Sequence, residues 1–252
     1  MTFMGTGTSQ GIPMIACNCG VCRSTDPRDK RLRASVLVEY DGVKLLIDAG
    51  PDFRYQMLRA GVGKLDAILL THNQKDHTGG LDDVRALNYF YKKDFPIYCE
   101  PYVQESLKRE YAYAFAEEKY PGVPQYVLET IGEEPFEVCG VKVVPIRALH
   151  YKLPILGFRI GNMAYLTDAS YIDESQYEKL QGLDIFVINS IRYTEHISHF
   201  SVPEALEVIK RVGAKRSYFT HLSHQLPVHS RFAAMLPEGC APAYDTLTLD
   251  FD

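Results

Sequence analysis

The stretch THNQKDHTGGLDD, residues 71–83, decides the reading of this chain. Within six positions it holds two imidazoles and a carboxylate, His72, Asp76 and His77, with Gln74 between them. An apolar run, Ala67 to Leu70, leads into it, and Val84, Leu87 and Tyr91 recur behind it at helical spacing. The pattern is strand, polar loop, helix. Imidazole and carboxylate suit Zn²⁺ or Mn²⁺, and so many in one short loop converge only if the loop folds around a cation. The alternative is a solvated loop.

The same placement, a polar residue just past an apolar run, recurs along the chain, and loops held by strands are where catalytic groups collect. Asp168 in LTDAS follows Ala164 to Leu166, where an uncompensated carboxylate would be costly to bury. Taken alone it reads as a helix cap as readily as a ligand. His150 ends the strand-like VKVVPIRAL, and His221 follows SYF in FTH. Either one alone also fits a hydrogen-bonded structural histidine. His196 and His199 form HISH just ahead of Ser201, and one of the two is a functional candidate.

A second constellation is CNCGVC, with Cys17, Cys19 and Cys22. Three thiolates at this spacing can wrap one Zn²⁺ but leave a tetrahedral position open. His224, three residues past His221, is available to fill it; the alternative is a reduced thiol loop beside a surface histidine. Cys99, Cys139 and Cys240 are scattered and read as inert core thiols, with no disulfides expected.

Working outward, the 252 residues carry 27 Lys+Arg against 32 Asp+Glu, a net charge of -5 that argues against nucleic acid as a partner. Hydrophobic residues at 46% and charged residues at 23% fit a soluble globular domain. No apolar run approaches the ~20 residues of a membrane span, and MTFMGTGTSQ lacks a leader pattern, so a cytoplasmic location is expected. Ala34 to Tyr40 and Val43 to Ile47 flank Asp41-Gly42 as a hairpin. Glu137 to Pro145, Leu156 to Ile160, Met163 to Leu166 and Arg216 to Phe219 read as strands, and Asp184 to Ile188 as a buried run. Ser201 caps a helix with an apolar face of Val202, Ala205, Leu206, Ile209 and Val212. Leu81 to Tyr126 reads as a helical excursion with one strand, Pro96 to Cys99. Its tyrosines suit core packing or a homodimer contact, with a roof over the pocket as the alternative. The expectation is one domain over residues 1–252, an α/β (α+β) fold in which two mixed sheets pack face to face with helices outside.

Taken together these motifs resemble a known family. THNQKDH followed by TGGLDD resembles the H-x-H-x-D-H signature of metallo-β-lactamase-fold hydrolases, with His150, Asp168 and His221 in the order that four-layer αββα sandwich requires. GTGTSQGIP, CNCGVC, LLIDAG, LTDAS and THLSHQ look most like the PhnP-type phosphodiesterases, and the likeness spans almost the whole chain. The resemblance implies one metal held by His72 and His150 and a second by Asp76, His77 and His221, with Asp168 bridging the two. It implies a structural zinc on Cys17, Cys19, Cys22 and His224, a supporting role for Asp48 in LLIDAG, and His199 at the substrate phosphate. The implied activity is hydrolysis of a small cyclic or nucleotide-like phosphodiester by a metal-bound hydroxide on two Zn or Mn ions. Gln74 departs from the signature, standing where the second histidine is expected; an amide oxygen is a weaker ligand, which would loosen that site or favour Mn²⁺. Arg192 and Lys152, near the motif ends, are read first as solvated, with phosphate contact as the alternative. Rival functions are a tRNA 3′-processing nuclease, a thioesterase and a zinc-stabilised binding protein without turnover.

Overall fold

The structure is a computed structural model, and it describes residues 1–251. The hairpin forms between β2 (Ser35–Tyr40) and β3 (Val43–Ile47), with Asp41 at φ +48° and Gly42 at φ +78°. Two-residue hairpin turns need such left-handed backbone to match strand twist. With β1 (Thr2–Gly5), β4 (Ala67–Leu69), β5 (Phe95–Cys99) and β6 (Tyr126–Thr130) this hairpin makes a six-stranded sheet, ordered β1 to β6 as in the chain. The pairs from β3 to β6 are parallel.

The second sheet contains β7 (Phe136–Val138), β8 (Val141–His150), β9 (Leu153–Ile160), β10 (Met163–Leu166), β11 (Tyr171–Ile172), β12 (Ile185–Asn189), β13 (Arg216–Thr220) and β14 (Cys240–Pro242). Its order is β11-β8-β9-β10-β12-β13-β14, with β7 paired to β8, and β10, β12, β13 and β14 run parallel.

Alternation along the strands sorts side chains into three cores. Val36, Val38, Leu45 and Ile47 meet Ile185 and Val187 between the sheets. Their neighbours Leu37 and Leu46 turn outward to Phe53, Met57, Val103 and Leu107 of the helices Phe53–Arg59 and Pro101–Glu110. Phe186 and Ile188 turn outward to Val202, Ala205, Ile209 and Val212 of the helix Val202–Val212. Each fully buried Val or Ile on that face contributes about 1.5–3 kcal/mol of transfer free energy. The result is the four-layer αββα sandwich. No helix among the described residues is long and apolar enough to cross a membrane.

Three local expectations need correction. Glu137 to Pro145 is two strands, because Cys139 (φ +51°) and Gly140 (φ +85°) turn the chain between β7 and β8; Cys139 is therefore exposed and not a core thiol. Leu156 to Ile160 begins earlier, at Leu153, as the partner of a long β8. The excursion ends in a strand, β6, which carries no clean apolar block because it is an edge with Val127 and Glu129 outward. Two of the tyrosines brace the polar loop from behind: Tyr111 Oη donates to the Thr78 carbonyl and Tyr126 Oη to that of Leu81.

Candidate metal centre

Parallel strands deliver their following loops to one end of a sheet, and here both sheets do so. Asp48 follows β3, Thr71 and His72 lie just past β4, Asp168 just past β10, and His221 follows β13. Asp48 (φ +65°), Asp168 (φ +62°) and His221 (φ +53°) all lie in the left-handed region. For side chains other than glycine that backbone costs about 1–3 kcal/mol each, and such strain collects at functional sites. The Leu156 amide donates to the Thr71 carbonyl at 3.0 Å and ties the two sheets together at this point.

Asp48 is fully buried and accepts from the Thr71 amide (2.9 Å), the Thr71 hydroxyl (2.9 Å) and Nδ1 of His77 (2.7 Å). His77 thus keeps Nε2 free as a ligand atom, oriented by a carboxylate on its far side. That Nε2 lies 3.2 Å from Asp76 Oδ2 and 3.2 Å from Asp168 Oδ2, and His221 Nε2 lies 3.0 Å from Asp168 Oδ1. Donor atoms of Asp76, His77, Asp168 and His221 all fall within 4.8 Å of one another. A second group with the same spread is His150, Asp168 and His199, so Asp168 belongs to both. Nδ1 of His150 donates toward the carbonyls of Asp168 (2.9 Å) and Ser198 (2.8 Å), leaving its Nε2 as the lone-pair atom.

These atoms fit a cation. The Nε2 atoms of His72, His77 and His221 are buried with no hydrogen-bond partner. An orphaned buried polar atom costs about 1–3 kcal/mol, so three together are expensive unless an ion satisfies them. The charge balance points the same way. Burial works against a charged His77, yet Asp168, Asp48 and Asp76 raise it well above its ordinary value. Asp168 is buried too, and His221 and His77 hold it well below the usual carboxylate range. Burial, followed by the nearby His77, pushes His72 down to about 3, and burial pushes His199 down to about 3, so both present neutral imidazoles near pH 7.

The residues singled out from the sequence are distributed unevenly. Asp76, His77, Asp168 and His221 come together, whereas His150 is grouped with Asp168 and His199. His72 stands beside them, its ring 4.2 Å from His77 and 5.8 Å from His150, with Nδ1 at 2.9 Å from the Thr71 hydroxyl. Gln74 is exposed at the N-terminus of the short helix Lys75–Thr78, where its carbonyl accepts from the His77 and Thr78 amides. Asn189 was not anticipated: its amide holds both the N–H and the carbonyl of Ala169 and so fixes the Asp168 turn. Its signal was present, a polar residue ending the buried run of β12.

The thiol cluster assembles across the chain. Cys17 Sγ lies 3.2 Å and Cys19 Sγ 3.5 Å from His224 Nδ1, and Cys22 completes four donor atoms within 4.8 Å of one another. Tetrahedral zinc with bonds of about 2.3 Å needs donors about 3.8 Å apart, so this set fits. The Cys22 amide is the main influence holding the Cys19 thiol down to about 6, while burial pushes Cys22 up to about 11. A thiolate at Cys19 near pH 7 is ready to bind metal.

Comparison with known proteins accords with this geometry. Residues 44–222 match the β-lactamase superfamily domain. A solved structure described as a new diphosphatase from the PhnP family is 41% identical, covers 99% of this chain and 96% of its own, and superposes with a TM-score of 0.93. Zn²⁺-bound PqqB from Methylobacterium extorquens, 20% identical with a TM-score of 0.82 and coverage of 99% of both chains, shares the fold. An octanoyltransferase of Porphyromonas gingivalis is 42% identical over 99% of this chain, and the chain spans 51% of that protein's length. With the family domain covering most of the sequence and a relative matched end to end, the chain belongs to the metallo-β-lactamase superfamily of hydrolases and, within it, to the PhnP family.

Proposed function

We propose that this protein hydrolyses a phosphodiester or diphosphate bond in a small molecule, using two Zn²⁺ or Mn²⁺ ions. The observation that carries this reading is the shared carboxylate: Asp168 belongs to both donor groups, as a bridge between two ions requires. Asp76, His77 and His221 would hold one ion with it, and His150 the other, with His72 and His199 adjoining. Two such ions lower the pKa of water toward neutrality and neutralise phosphoryl charge. The chain's own residues do the rest. Asp48 fixes the His77 tautomer, the Asp168 and Ser198 carbonyls fix that of His150, and Asn189 holds the Asp168 turn. His199, 4.6 Å ring to ring from His150 and 5.0 Å from His221, borders both groups. Being neutral, it gives the phosphoryl oxygen a hydrogen bond rather than a full proton. The separate Cys17, Cys19, Cys22 and His224 set would hold a structural zinc.

The diphosphatase relative supports phosphorus chemistry, and the acyl transfer named for the P. gingivalis relative belongs to a protein about twice as long. The test compares kcat/KM on bis(p-nitrophenyl) phosphate, a dialkyl diphosphate and an octanoyl thioester, in protein stripped of metal and reloaded with Zn²⁺ or Mn²⁺. Metal-dependent turnover of a phosphorus substrate at least about 100-fold above the thioester is expected. Preference for the thioester would overturn the reading.

A further inference from the structure

Resting on that reading, we propose that Arg192, with His196 beside it, binds the second phosphoryl group of a diphosphate-linked substrate. A cavity of about 220 Å³ shares His199 and His221 with the metal centre and is also lined by Arg192, His196, Gln10 and Gln225. Among the described residues no Asp or Glu lines it, in a chain whose net charge is -5. A cavity of this size takes a phosphoryl group with a small ester substituent. Its polar groups lie next to the centre: stepping ring to ring, His77 to His221 is 6.0 Å, His221 to His199 5.0 Å and His199 to His196 5.1 Å.

The backbone around Arg192 is tied to neighbouring segments. The Val202 amide donates to the Arg192 carbonyl at 2.9 Å, the Ile191 amide donates to that of Phe200 at 3.2 Å, and the Ser223 hydroxyl donates to that of Ile191 at 2.5 Å. The guanidinium donates through Nε to the Thr194 carbonyl and through Nη2 to that of Glu195, while Nη1 has no protein partner among the described residues. His196 accepts the Ser198 amide at Nδ1, which places its own N–H at Nε2. A guanidinium held through Nε and Nη2 that keeps Nη1 for a further acceptor, beside an imidazole N–H, matches phosphate oxygens. In hydrolysis the water oxygen bonds to the attacked phosphorus and the bridging P–O bond breaks, its electron pair going to the second phosphate as leaving group. One water proton stays on the new phosphate oxygen and the other passes to the leaving oxygen or to solvent. Arg192 and His196 stabilise the charge that collects on the leaving phosphate.

The experiment uses a matched pair, P1,P2-dimethyl diphosphate and methyl p-nitrophenyl phosphate, which transfer the same methylphosphoryl group to water. A non-hydrolysable analogue, P,P′-dimethyl methylenediphosphonate, is titrated calorimetrically into the metal-loaded protein. Arg192→Ala is expected to lower the ratio of kcat/KM for the diphosphate over the aryl ester by about 10–100-fold and to raise the analogue's dissociation constant about 10-fold, with Arg192→Lys in between. Lys152→Ala, outside the cavity, is expected to leave both unchanged. An unchanged ratio in Arg192→Ala, or an equal fall on both substrates, overturns the subsite while leaving the hydrolase reading intact. Analogue binding that depends on Arg192 in a protein that turns over neither substrate overturns the hydrolase reading and keeps the subsite.

Discussion

At the scale of single residues, the centre depends on groups that never touch substrate. Asp48 accepts from His77 Nδ1 and leaves Nε2 free, so Asp48→Asn should weaken metal binding at the centre by about 10–100-fold while leaving the thiol cluster loaded. Chelator competition followed by elemental analysis measures this, and undiminished affinity would count against the Asp48–His77 link. His199→Ala should retain metal and lose about 10²–10³-fold in kcat, the usual effect of removing a donor to developing charge. Loss of metal in that variant would instead make His199 a ligand. The placement of these side chains in loops at strand ends was legible, because His72, Asp168 and His221 each sit just past an apolar run and Asp76 and His77 follow in the same loop as His72. What stayed hidden was partnership: spacing along a chain does not say that His150 joins Asp168 and His199, nor that Gln74 faces solvent. Those facts come from the left-handed turns at Asp168 and His221 and from loops that meet only after the sheets pack.

Elements carry the centre by being rigid at their ends. The helix Val202–Val212 starts with a full capping box: Ser201 Oγ accepts from the Glu204 amide, and the Glu204 carboxylate accepts from the Ser201 amide at 2.8 Å. Ser201→Ala should cost about 0.5–2 kcal/mol, read as a lowered urea midpoint at unchanged m-value. No change would show that packing alone sets this helix start. The same helix start carries the backbone bond from the Val202 amide to the Arg192 carbonyl. Ser201 and its apolar face were readable because capping chemistry and helical period are local signals. The edge strand β6 was not readable, since with Val127 and Glu129 exposed it has little apolar pattern to show, and β1 escaped because it is only four residues long, although Phe3 and Met4 are buried.

Across the whole molecule, the first and last segments of the described residues bond to each other. The Met1 amino group donates to the Leu249 carbonyl, and the Thr6 hydroxyl to Asp245. Buried Arg31 donates to Thr6 Oγ1 and to His229 Nδ1, while the His229 amide donates to buried Asp29 at 2.7 Å. Burial and the neighbouring Arg31 push His229 down to about 4. Between pH 6.5 and 4 the unfolded chain therefore binds a proton at this site that the folded chain refuses. Stability from this site is complete above pH 6.5 and falls as the pH drops toward 4, by no more than about 1.4 kcal/mol per pH unit, the limit for one proton. His229→Gln should flatten that part of the profile; an unaltered slope would show that other groups set it. This closure was invisible in the sequence, because it joins residues more than 190 positions apart.

Asp168, shared by two donor groups, would serve two metal ions in a site separate from the Cys17, Cys19, Cys22 and His224 cluster. Metal content per chain, measured by plasma mass spectrometry on wild-type protein and on Asp168→Asn after loading with Zn²⁺ and Mn²⁺, tests it most directly. About three ions are expected in the wild type and about one in the variant, the latter lost on Cys19→Ser. About one ion in the wild type, unchanged by Asp168→Asn, would contradict it.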